Sequence, residues 1–151
     1  MKFTREITNG FIIFLGIGIY FIILELLGLS DFYLLRLLNI FIVAYGVNRT
    51  ISANHKDNLK GYFRNFISAL LTSMIGAVLS IAGLLLYLEI RGGEAYLKDL
   101  SQGFLIGGGD IDSYTYTISL LLFESTAASL IVSFCLMQYW KDKVEVINKV
   151  D

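Results

Sequence analysis

Three ionisable side chains, Glu25, Arg36 and Glu124, stand inside stretches that are otherwise apolar. A charge is costly in a bilayer, so an acid or base kept there is either paired or marks a route for an ion, proton or charged ligand. Glu25 lies about one turn from the end of its run, and Arg36 about one turn into the next. The short link between them, Gly28 to Asp31, folds the chain back and brings both to similar depth. Glu124 lies deeper, in the middle of the last run. With Asn39 they form a candidate intramembrane polar network of Glu25, Arg36, Asn39 and Glu124, open to the outer side. Such a group could take an ion, a proton or a small anion-bearing ligand. The simpler reading is structural and is preferred: Arg36 pairs with Glu25 or Glu124, or Glu25 and Arg36 snorkel separately to the interface.

Catalysis needs more than this chain offers. Nucleophilic mechanisms need a base beside the nucleophile, and the single histidine, His55, falls on the opposite side from the polar network. One histidine also rules out bis-histidine haem and multi-histidine metal sites. Cys135 has no second cysteine to join, and its place in an apolar run predicts a buried structural thiol. Gly107-Gly108-Gly109 before Asp110 and Asp112 lacks both the P-loop lysine and the twelve-residue calcium pattern. It reads as a turn before a capped helix. The expectation is a non-enzymatic protein with no cofactor and no metal.

The elements carrying these residues are four long apolar runs, Gly10 to Leu29, Phe32 to Val47, Phe63 to Ile90 and Tyr116 to Trp140. Hydrophobic residues make up 56% of the 151 residues, against about 45–50% in soluble domains. Crossing a hydrocarbon core of about 30 Å takes roughly 20 helical residues, which three of the runs supply easily. Lipid admits only helices or closed barrels. The runs are continuous instead of alternating, so the chain is predicted to be an all-α integral membrane protein. It forms one transmembrane domain over 1–151, with spans at about 10–29, 32–48, 63–90 and 115–140 in an antiparallel bundle. The first run is too long for a signal peptide and lacks a cleavage site, so it is expected to be retained.

Charge sets the orientation. Lys2 and Arg5, then Arg49, Lys56, Lys60 and Arg64, then Lys141, Lys143 and Lys149 all fall on one side of a four-span chain. The positive-inside rule places that side, with both termini, in the cytoplasm, and the host membrane is expected to be the inner membrane. These cations face anionic lipid in a wet connection from Arg49 to Tyr62 that also carries His55; nothing gathers them for nucleic acid. Ser30 or Asp31 can cap the second helix. In the outer connection, Glu94 to Phe104 has the spacing of a short amphipathic surface helix. Tyr114, Tyr116, Tyr139 and Trp140 bracket the fourth span as interfacial aromatics.

Small residues recur at spacings of three and four in the third run. Thr72, Gly76, Ser80 and Gly83 form a candidate helix-packing ridge, for which the Ser125 to Ser129 cluster of the fourth run is the expected partner. Tyr45-Gly46-Val47-Asn48-Arg49, Phe63-Arg64-Asn65-Phe66 and Gln138-Tyr139-Trp140-Lys141-Asp142-Lys143 together give a layout that resembles the small four-helix membrane proteins of Bacteroidota-type bacteria. That resemblance implies a fold and a location and carries no catalytic residue across. The expected role is an interaction or accessory subunit of a membrane assembly, its partners being the lipid bilayer and a membrane protein or further copies of itself. The alternative is a small transporter or ion-conducting protein using Glu124 and Arg36.

Overall fold

A computed structural model describes residues 3–30, 32–95, 97 and 114–144. Among these residues the regular structure is helical: α1 (Phe3–Leu26), the single turn α2 (Tyr33–Arg36), α3 (Asn39–Lys56), α4 (Tyr62–Arg91) and α5 (Tyr114–Val144). Four segments are long and apolar enough to cross a membrane, Phe3–Leu26, Leu34–Lys56, Tyr62–Arg91 and Tyr114–Val144. At 1.5 Å per residue the shortest of them, 23 residues, spans about 35 Å, which exceeds a hydrocarbon core. The expected Asp31 cap, the Gly107-Gly108-Gly109 turn and most of the Glu94 to Phe104 surface helix lie outside the described residues.

The second span is built in two pieces. Leu38 N–H donates to the Leu35 carbonyl, Ile40 to Leu37 and Phe41 to Leu38, each at 3.1 Å. These three-residue closures tighten the chain into 3₁₀ turns between α2 and α3. The piece then runs further than hydropathy predicts. A wet connection is expected from Arg49, yet α3 continues to Lys56 and buries Thr50, Ile51 and Asn54. Likewise α1 starts at Phe3, ahead of its apolar run, and buries Glu6 and Asn9. In both cases polar side chains that score as flank are turned inward, where other helices satisfy them.

Helix α4 packs on α1, α3 and α5, and α3 also packs on α1 and α5. One apolar core is formed by Ile13, Val47, Ile51, Ala69, Val132, Met137, Trp140 and Val144. A second gathers Ile81, Leu88, Leu97 and Leu121. Trp140 is only 9% exposed and joins the first core, with its indole N–H donating 2.7 Å to Asn48 Oδ1. The thiol expectation changes. Cys135 is exposed: the buried positions of this stretch of α5 are Val132, Ser133, Met137 and Trp140, which leaves position 135 on the outward face.

Close approach of α1 to α4 and α3 depends on glycine. A Cβ on Gly76 would lie 2.7 Å from Ile13 Cγ2, and one on Gly10 would lie 2.6 Å from Ile75 Cγ2 and 3.1 Å from the Thr72 carbonyl. Ile13 is fully buried and also fills the space at Gly46, where a Cβ would come 2.7 Å from its Cδ1. Such small-residue contacts are how helices approach without a hydrophobic driving force between them. The ridge therefore meets α1: Gly76 faces Gly10 and Ile13, and Gly83 faces Phe14, where the Ser125 to Ser129 cluster was expected.

Candidate functional site

Polar residues on α1, α3 and α4 recur at helical spacing. Glu6 and Asn9 lie on α1, Thr50 and Asn54 on α3, and Asn65, Ser68 and Thr72 on α4. Separations of three or four residues put each set on one helix face. The three faces meet, and every one of these side chains is buried.

Two hydrogen-bonded layers result. In the first, Arg5 donates to Asn54 Oδ1 and pairs with Asp57. Asn54 Nδ2 donates 3.0 Å to Ser68 Oγ, and the Ser68 hydroxyl donates to Glu6 Oε1. In the second layer, Asn9 Nδ2 donates 2.9 Å to Thr50 Oγ1, which stands 3.0 Å from Thr72 Oγ1. Thr72 Oγ1 donates 2.8 Å to the Ser68 carbonyl and so ties the layers together. Each bond between membrane helices contributes about 0.6 kcal/mol on average, up to about 1.7. Several in one seam join three helices into a specific register. Burial also makes each expensive to break, because the orphaned group has no water to turn to.

The turns beside this seam are held by the same logic. Asn65 Nδ2 donates to the carbonyls of Leu59 and Gly61, both at 2.9 Å, and organises the link from α3 to α4. Gly61, at φ 110°, occupies backbone space that other residues rarely adopt, and its N–H donates 2.7 Å to the Val144 carbonyl. Gln138 Nε2 donates 3.2 Å to Tyr62 Oη. His55 lies in the last turn of α3 with its ring 5.6 Å from Trp140.

The residues of the network anticipated from sequence fall on α1, α2, α3 and α5. Glu25 Oε1 accepts from Arg91 Nη2 at 3.2 Å, so a cation at the end of α4 stands with it. The Arg91 guanidinium also lies 5.9 Å from the centre of the Tyr87 ring. Arg36 ends α2 and is half-buried. Asn39 opens α3, and its Oδ1 is buried with no hydrogen-bond partner among the described residues; the same holds for Glu124 Oε1 on α5. The Glu6–Asn54–Ser68 seam is not found by hydropathy because Glu6 falls in the flank before the first run and Asn54 in the connection between the second and third, while Ser68 is the only one of the three inside an apolar run. Spacing is the signal that finds it: Glu6, Asn9 and Ile13 on α1 and Ser68, Thr72 and Gly76 on α4 each trace one face.

Neither seam resembles a reaction centre. Among the described residues no three His, Cys, Asp or Glu side chains gather to hold a metal. The seam's members are amides, hydroxyls, the Glu6 carboxyl engaged with Ser68, and the Arg5–Asp57 pair. Comparison with known proteins adds no family: no family model matches the chain, and neither the curated proteins nor the solved structures give a match.

Proposed function

We propose that this chain is a non-enzymatic protein of the inner membrane, an antiparallel four-helix bundle with both termini cytoplasmic, acting as an interaction or accessory subunit of a membrane assembly. The antiparallel arrangement is supported by contact order. Glu6 with Ser68 and Phe14 with Gly83 advance together along α1 and α4, whereas Arg5 with Asn54, Asn9 with Thr50 and Gly16 with Ile42 run in opposition along α1 and α3. The cytoplasmic assignment rests on the cation excess around these helix ends.

One observation carries the functional reading: the polar groups of the seam bond one another across three helices, and the next layer of the bundle is closed by Ile13 wedged between Gly46 and Gly76. A conduit needs polar groups turned to a passage; here they clamp helices. Extraction of the tagged chain from its native membrane in mild detergent tests this. The expected result is a particle of defined mass larger than one copy. A monodisperse single-copy particle overturns it.

The second reading, a small transporter or ion-conducting protein, is favoured by Glu124 and Asn39. Each keeps a buried oxygen without a hydrogen-bond partner among the described residues. With Arg36 they would form the polar element of a transport route. That reading requires flux that depends on Glu124.

A further inference from the structure

Arg49 lies on the exposed side of α3, where two adjoining clefts share it and Ala53. One cleft runs along α3 past Tyr45, Ser52 and Lys56, and the other crosses to Thr4 and Thr8 of α1. Arg5 is neutralised by Asp57 and Arg91 stands on Glu25, yet Arg49 has neither an ion pair nor a side-chain hydrogen bond among the described residues. An uncompensated guanidinium beside a hydroxyl and an ammonium is phosphate-binding chemistry, since its fork matches two phosphate oxygens at once.

The surface leading to the cleft identifies the molecule that carries the phosphate. Four and eight residues before Arg49 stand Tyr45 and Phe41, 60% and 69% exposed. Residues four apart lie one above another on a helix, so a single stripe of α3 passes from apolar to aromatic to cationic. That sequence matches an acyl chain, an interface and a headgroup. We propose that this cleft binds an anionic phospholipid, its phosphate on Arg49 with Lys56 and Ser52 beside it and an acyl chain along Tyr45 and Phe41. The proposal rests on the membrane reading above, which puts this end of α3 in the cytoplasmic leaflet, where anionic lipids attract basic side chains.

Native mass spectrometry of the full chain in detergent, titrated with phosphatidylglycerol or phosphatidylcholine, tests it. The parent is expected to prefer phosphatidylglycerol. Arg49→Gln should weaken that lipid about fivefold, the equivalent of roughly 1 kcal/mol for one cation at a membrane surface, and weaken phosphatidylcholine less, since its own quaternary ammonium offsets its phosphate. Arg64→Gln removes an exposed cation that lines neither cleft and should leave binding within about twofold. Equal losses in the two variants mean diffuse attraction and overturn the site. Millimolar inorganic phosphate without lipid should not stabilise the parent; stabilisation abolished by Arg49→Gln would assign the cleft to free phosphate and overturn the lipid. Should Arg49→Gln fail to fold, Lys56→Gln decides, with a loss clearly larger than that of Arg64→Gln expected and an equal or smaller loss overturning the proposal. A parent chain that is soluble without detergent overturns the membrane reading itself, a result distinct from all of these.

Discussion

Gly76→Ala adds one carbon at a close approach between α1 and α4. That carbon would sit 2.7 Å from Ile13 Cγ2, 2.9 Å from Ile13 Cβ and 3.2 Å from the Gly10 carbonyl oxygen. Carbon atoms rest at about 3.5–4.0 Å, so Ile13 must retreat by about 1 Å. It has nowhere to go, being fully buried with its Cδ1 against Gly46. The helices must part instead, at the cost of about 1–3 kcal/mol typical of overpacking. Alanine regains about 1 kcal/mol in helix propensity, so the net loss is about 0–2 kcal/mol, which places this variant about 1–3 kcal/mol below one that gains propensity alone. Gly18→Ala on α1 is the matched control: nothing lies within 4 Å of its added carbon, and only the propensity gain remains. Reversible unfolding in mixed micelles, followed by the fluorescence of the single tryptophan, Trp140, measures both. Ile13→Ala should remove most of the penalty of Gly76→Ala, giving a coupled cycle. A Gly76→Ala variant as stable as Gly18→Ala, or an additive cycle, refutes the close packing.

Ser68→Ala strips Glu6 Oε1 and Asn54 Nδ2 of their shared partner and should cost about 1 kcal/mol or more in the same assay. Ser73→Ala loses only bonds to carbonyls of its own helix and should cost less; the reverse order removes the seam from the account. Orientation is read by an impermeant thiol reagent on intact cells after Cys135 is replaced by serine: cysteine at exposed Lys60 should be protected and at exposed Glu94 should label, and the opposite pattern inverts the topology. Asn54 is unsuited to that probe, since burial alone would silence it. Arg91→Gln should cost under about 1 kcal/mol, and less at high salt, because the Arg91 side chain is 53% exposed; a larger loss would make the Glu25 pair a structural clamp.

The four spans were legible because an apolar run of twenty or more residues has few other fates. Their ends were not. Hydropathy scores Glu6, Thr50 and Asn54 as solvent, yet each is hydrogen-bonded to another helix, a fact held in no single segment. Gly76 stood out as a point of close approach, but which helix approaches depends on how segments pair, and α1 takes the place expected of α5. Arg91, which folding brings to Glu25, lies far along the chain and is not legible as its partner from either segment alone. Trp140 stands at the end of an apolar run, and its hydrogen bond to Asn48 across the bundle is held in neither segment alone.

The central claim is that the polar groups inside this bundle hold helices together and carry no solute. Ion flux from vesicles reconstituted with the purified protein tests it most directly, with proton, potassium and chloride gradients applied in turn. The account predicts release indistinguishable from protein-free vesicles for each ion. Flux above that level, abolished by Glu124→Gln or Arg36→Leu while the variants remain folded, would contradict it.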